Sequence, residues 1–320
     1  MRRATRIVFL LAIVTATALG SESLFVGGGA PNIKIHLLRQ TPASPSRLPP
    51  ILLLHPYGAP CAKAYDLPAF PLMKELAVDR AVFAMDFRGF GESSKPVQSG
   101  PVGRASDAAQ DVIAVIEYIT RTTGSPKVAL LGWSWGGAVA PIVATMRPDL
   151  IDRVVVIGAM HSFALPMMTQ PFATNDTPPH FSPANVAYLR METGKVLGHW
   201  KMMLAGRKDL VDEQTIESVA EMAERCSAGA PNAGPGFTIR PMGPMQDLFE
   251  IWNNRPIYDA AQVKVPVLVI RGDRDAFADK NLTSKLPRAK ELVISDATHW
   301  LPYEKSRTKL VRALREFFAQ

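Results

Sequence analysis

The chain has 320 residues, 47% of them hydrophobic and 20% charged, with a formal net charge of +7. That length and apolar content support one large core, alone or with an inserted subdomain, and exclude extensive disorder. The basic residues are scattered, with no aromatic residues interleaved, which excludes nucleic acid as a partner.

Arg2, Arg3 and Arg6 precede an apolar run over residues 7–19, and Ala18-Leu19-Gly20 offers small residues for cleavage. This is a secretory signal pattern, and the run is shorter than the roughly 20 residues of a spanning helix. Removal of the three arginines lowers the formal charge to +4. The expected product is secreted or periplasmic and keeps no stable membrane anchor after cleavage. Cys61 and Cys226 lack metal-ligand spacing; in an exported chain they either pair or stay as two buried thiols.

Continuous apolar runs follow at 51–54, 81–85, 128–131, 154–157, 265–270 and 291–294, with a partly alternating run at 33–38. Such runs predict strands buried on both faces, as in a parallel sheet covered by helices. Helical periodicity lies between them at 67–78, at 107–120 and at 304–318. On the second, Ala108, Val112, Val115, Ile116 and Ile119 share one face. On the third, Lys305, Arg307, Lys309, Arg312 and Arg315 form a solvated face opposite Leu310, Val311, Leu314 and Phe318. The alternation predicts an α/β fold with a mostly parallel sheet flanked by helices.

The pattern breaks between about 160 and 257, which reads as helices joined by loops and holds nine of the thirteen methionines. Residues 227–244, rich in Gly and Pro, read as a loop. We read the break as a helical cap inserted after the sixth strand. The expected organisation is a signal peptide over 1–20, a core formed by 21–159 and 258–320, and a cap over 160–257. Met160, Met167, Met168, Met202 and Met203 cluster there with Phe163, Phe172 and Trp200, either as ordinary cap core or as an adaptable apolar pocket surface.

Gly132-Trp133-Ser134-Trp135-Gly136 stands between an apolar strand and a helix-like stretch. A serine flanked at two residues on each side by glycine fits a sharp strand-to-helix turn that exposes a strained nucleophile beside helix N–H groups. Such a serine needs a base, and the base needs an orienting acid. Downstream, Gly272-Asp273-Arg274-Asp275 and Asp296-Ala297-Thr298-His299-Trp300 each follow a strand. The chain order Ser, Asp, His is that of α/β-hydrolases.

From residue 33 to its C-terminus the chain resembles the cap-bearing serine hydrolases of the α/β-hydrolase superfamily. Three motifs carry the resemblance beside the Ser134 turn and the His299 loop: Leu54-His55-Pro56-Tyr57-Gly58, Asp86-Phe87-Arg88-Gly89-Phe90-Gly91-Glu92-Ser93 and Gly272-x-x-Asp275. The resemblance implies a catalytic Ser134, Asp275 and His299, with the G-x-x-D spacing favouring Asp275 over Asp273. It implies an oxyanion hole from the backbone N–H groups of Tyr57 and Trp135, although His55-Pro56 replaces the family's His-Gly. Asp86 is expected to brace the Arg88 turn, and His55 to order the oxyanion loop. Asp296 reads as a turn residue.

Trp133, His161 and Trp300 are the candidate substrate contacts, while His180 and His199 stay ambiguous. No metal or cofactor is implied. Related dehalogenases and epoxide hydrolases carry aspartate at the elbow, so serine points to a small-molecule ester as substrate. Amide hydrolysis (including a prolyl-type aminopeptidase), carbon–carbon bond hydrolysis and perhydrolysis are the alternatives. A noncatalytic binding protein on this fold usually lacks one triad member, and none is missing here. Glu192, Glu213, Glu217, Glu221 and Glu224 are the cap acids an aminopeptidase could use to hold a substrate ammonium. Protein recovered from its native host should begin after Ala18 or Gly20 by N-terminal sequencing; an intact Met1 would contradict export with cleavage.

Overall fold

The computed structural model describes residues 21–44, 46–158, 160–182 and 184–320; the expected signal segment, 1–20, lies outside the described residues. Eight strands form one sheet in the order β1-β2-β4-β3-β5-β6-β9-β10. β1 (Glu22–Gly27) and β2 (Lys34–Gln40) are antiparallel to each other, and β2 runs antiparallel to β4 (Val82–Met85). From β4 onward the sheet is parallel through β3 (Ile51–Leu54), β5 (Val128–Trp133), β6 (Ile151–Ile157), β9 (Val267–Gly272) and β10 (Ala289–Ile294). β3, β4 and β5 are buried along their whole length, which is why their sequences are continuously apolar. β1 and β10 are edges with mostly exposed or half-buried residues, and β1 lacks the apolar run that marks the central strands.

The helix α1 spans only Leu72–Leu76, whereas periodicity suggested 67–78. Pro68 and Pro71 explain the difference: Leu67 and Phe70 form an isolated bridge, and Pro71 stands at the helix start. α2 (Ala105–Thr123) buries the predicted Ala108, Val112, Val115, Ile116 and Ile119 and stops at Gly124, in the left-handed conformation. α3 (Trp135–Met146) leaves directly from β5. α9 (Leu282–Lys285) and α10 (Arg307–Phe318) complete the core. The basic face of α10 is only partly solvated. The Arg307 guanidinium pairs with the Glu75 carboxylate, and Arg315 donates to the Glu75 carbonyl oxygen at 2.6 and 3.1 Å.

Between β6 and β9 run α4 (Pro166–Thr169), α5 (Thr193–Val196), α6 (Gly198–Leu204), α7 (Glu213–Arg225) and α8 (Gly243–Ile251). They share this stretch with an antiparallel ribbon, β7 (Tyr188–Glu192) with β8 (Phe237–Pro241). The ribbon was not expected, and it replaces part of the loop predicted over 227–244. Its two strands lie some 45 residues apart with α5, α6 and α7 between them, so no local hairpin signal announces it. Among the described residues no helix is long and apolar enough to cross a membrane.

Cys61, after β3, is disulfide-bonded to Cys226, at the end of α7, with a Cα–Cα distance of 5.9 Å. The bond closes a loop across 165 residues of sequence and ties the stretch between β6 and β9 to the loop after β3. Replacing both cysteines with serine should lower unfolding stability by about 2–4 kcal/mol, read as a shifted denaturant midpoint. An unchanged midpoint would show that the bond constrains nothing of consequence.

Candidate active site

At the end of β5 the chain reverses into α3 within one residue. Ser134 takes φ +59° and ψ −120°, a conformation that L-residues rarely adopt and that costs on the order of 1–3 kcal/mol. Close packing enforces the turn. A Cβ on Gly132 would lie 2.2 Å from the Gly136 carbonyl oxygen, and one on Gly136 would lie 2.3 Å from that of Leu54. The Ser134 N–H donates to the Ile157 carbonyl oxygen at 2.8 Å, so the neighbouring strand β6 also holds the serine.

Asp275 follows β9 and is buried. Its Oδ1 accepts the N–H groups of Phe277 (2.8 Å) and Ala278 (3.1 Å). Both carboxylate oxygens face Nδ1 of His299, at 3.0 and 2.9 Å. A carboxylate only accepts, so the proton sits on Nδ1 and Nε2 is left as the ring's free acceptor. Asp273, the alternative acid, is exposed and accepts the Ala297 N–H at 3.3 Å. Asp296 is exposed and pairs with Arg207 at 3.1 Å.

The His299 loop is fixed from three directions. The Trp133 indole donates to the His299 carbonyl oxygen at 2.9 Å. Buried Glu304 accepts the Thr298 N–H (2.8 Å) and hydroxyl, and also the Trp200 indole (2.9 Å) from α6. Burial pushes the Glu304 carboxyl above its usual range. Gly158 leaves β6 with φ +55° directly behind the ring; a Cβ there would meet His299 Nδ1 at 2.7 Å.

The loop after β3 is braced by His55, whose Nδ1 donates to the Pro56 carbonyl oxygen (2.9 Å) while Nε2 accepts the Phe87 N–H (3.2 Å). Burial lowers its pKa to about 4, so the ring stays neutral. Asp86 gathers the Ala62 N–H (2.6 Å), the Glu92 N–H (2.8 Å) and His36 Nδ1 (2.7 Å), and Arg88 forms a bidentate pair with Asp111.

Ser134, His299, Tyr57 and Trp133 open onto one cavity of about 390 Å³. Its walls are mainly apolar, with Met160, Met167, Met168, Phe172, Met191, Met202, Met245, Trp252 and Phe277. The charged side chains among its described lining residues are Lys195 and Arg240, and no carboxylate is among them. His199 also lines it; Nε2 accepts the Trp300 indole N–H at 3.0 Å, and burial lowers the ring's pKa to about 3.

A family model described as the alpha/beta hydrolase fold matches residues 49–306. The chain belongs to the alpha/beta hydrolase fold family. The chain is 33% identical over 89 residues to the mouse protein named epoxide hydrolase 4, covering 28% of the chain and 23% of that relative. It is 24% identical over 228 residues to the human (lyso)-N-acylphosphatidylethanolamine lipase, covering 67% of the chain and 63% of the lipase. The chain thus spans less than two thirds of either relative. A solved thermophilic esterase from Thermogutta terrifontis superposes with a TM-score of 0.60 at 20% identity, covering 93% of this chain and 98% of that one.

Of the candidate substrate contacts, Trp133 and Trp300 line the cavity and His161 does not. The neighbouring Met160 takes the wall position. The His161 ring instead edges against Tyr258, its Nε2 3.2 Å from the Tyr258 carbonyl oxygen and its Nδ1 3.4 Å from Lys285 Nζ. Tyr57 borders the cavity, and the Trp135 amide sits at the first turn of α3, where no intrahelical acceptor exists. The Trp135 indole points elsewhere, to Asp247 of α8 at 3.1 Å. Of the methionine cluster, Met160, Met167, Met168 and Met202 face the cavity, whereas Met203 does not; Trp200 stacks on Trp300 at 4.9 Å behind the wall. The ambiguous His199 lines the cavity, and so do Met191, Met245 and Arg240, which the sequence does not mark because each reaches the site from an element with no motif.

His55 and His199 set a pH dependence. Unfolded, each titrates near 6.5, whereas His55 and His199 titrate near 4 and 3 in the fold. Between those values the unfolded chain binds more protons, so stability falls as pH drops below about 6.5. The urea midpoint should be lower at pH 5 than at pH 7.5, with a shallower dependence in His55→Gln; an equal slope in that variant would contradict the burial argument.

Proposed function

We propose that this chain is an exported serine hydrolase that cleaves carboxylic esters of compact, largely apolar molecules through an acyl-enzyme. One observation carries the reading: a strained serine and an imidazole held by a buried carboxylate border the same apolar cavity. Ser134 attacks the acyl carbon while Nε2 of His299 takes its proton and later returns it to the leaving alcohol. Asp275 keeps the ring in the required tautomer and stabilises the imidazolium. The N–H groups of Tyr57 and Trp135 receive the oxyanion, each donor being worth about 3 kcal/mol in such sites. Water then hydrolyses the acyl-enzyme.

The cavity walls favour apolar acyl or alcohol groups. The Cys61–Cys226 bond fits an oxidising compartment and supports export, together with the basic-apolar N-terminus. An aminopeptidase reading lacks its anchor, because Glu192, Glu213, Glu217, Glu221 and Glu224 are absent from the cavity lining. The serine at position 134 speaks against epoxide opening of the aspartate-dependent kind, despite the name of the mouse relative.

Ser134→Ala should reduce turnover of p-nitrophenyl esters by roughly 10⁴-fold or more and abolish labelling by a fluorophosphonate. Full activity in that variant would end the proposal.

A further inference from the structure

Three arginines are buried among the described residues: Arg80, Arg88 and Arg240. Arg80 pairs with Asp79 and Arg88 with Asp111. Arg240, on β8 and only 5% exposed, forms no ion pair among the described residues. Its Nε is buried without any hydrogen-bond partner. Its contacts are the Tyr57 ring, 4.5 Å below the guanidinium carbon, and the Met191 sulfur, 3.3 Å from one terminal nitrogen. A desolvated guanidinium facing a ring and a thioether, with the neutral His199 ring in the same cavity wall, is far from compensated. It lines the same cavity as Ser134, stacked on the residue after Pro56 in the expected oxyanion loop. The other cation in the wall, Lys195, is exposed and already pairs with Glu192 at 3.0 Å.

From this geometry we infer that Arg240 is a substrate-specificity residue that receives a carboxylate carried by the ester, on the side of the scissile bond that lies against Tyr57. The inference rests on the serine-hydrolase reading of Ser134 and narrows its substrate to acidic esters, such as half-esters of dicarboxylic acids. A planar guanidinium with unused donors matches a carboxylate in two parallel hydrogen bonds. The apolar walls contact the intervening methylenes, and the absence of any lining carboxylate removes competition for the cation and repulsion of the substrate.

The test compares mono-(4-nitrophenyl) esters of glutaric, adipic and pimelic acids with neutral analogues in which a methyl ketone replaces the carboxylate. Phosphonate analogues of matched length form a third arm. In the wild type the half-ester should exceed its ketone analogue in kcat/KM by roughly 10- to 100-fold for at least one length, mainly through KM. Arg240→Met should erase that ratio, Arg240→Lys should keep part of it, and Lys195→Met should leave the ratio in place. If Arg240→Met fails to fold, Arg240→Lys decides, a severalfold fall in the ratio supporting the inference and an unchanged ratio overturning it. No carboxylate preference at any length, a preference that survives Arg240→Met, or a stronger preference for the phosphonate would each overturn the assignment. In those cases turnover of the neutral esters leaves the hydrolase reading standing. No turnover of any ester and no fluorophosphonate labelling of Ser134 would instead defeat that reading itself.

Discussion

The absence of room for a side chain at Gly132 and Gly136 is the constraint on which the site depends. The peptide after Ser134 lies against the end of β3, so the helix can start only where it does. Strand β6 supplies the carbonyl that accepts the Ser134 amide. The serine's backbone is thereby set by three adjacent strand ends. Its unfavourable dihedrals persist because that surrounding lattice leaves no relaxed alternative.

The imidazole is held with comparable redundancy, partly from outside the sheet domain. Trp133, next in sequence to Ser134, grips the carbonyl of His299. Glu304 links the preceding Thr298 to Trp200 of the inserted segment. Asp247, also in that segment, accepts the first amide of α2, the Arg104 side chain and the Trp135 indole. These buried carboxylates are fully engaged, and such networks stabilise only when every member is satisfied. Burial raises the pKa of both, because desolvation of the charged form outweighs the opposing hydrogen bonds.

The elements legible in the sequence are those whose signal is local. Strands β3, β4 and β5 show as unbroken apolar runs because both faces are covered, and the Ser134 turn shows as paired glycines at fixed spacing. Edge strand β1 has one exposed face and a weak pattern. The ribbon of β7 and β8 pairs segments separated by three helices, which no window of residues reveals. Sequence puts His161, and not the ambiguous His199, forward as a substrate contact; packing sends the first to Tyr258 and sets the second in the cavity wall beside Trp300. Arg240 was indistinguishable from the other scattered arginines, because its isolation is a fact about what fails to surround it.

The junction between the stretch from β6 to β9 and the rest of the fold has a consequence for how such a molecule could be altered. A disulfide, a helix cap at α2 and the support of the histidine loop all cross it. The insertion is therefore not a detachable module. Grafting another in its place would strip the parent framework of hydrogen-bond partners for the start of α2 and for the His299 loop. Substitution along the cavity wall, where Met side chains adapt readily, would leave those crossing contacts in place.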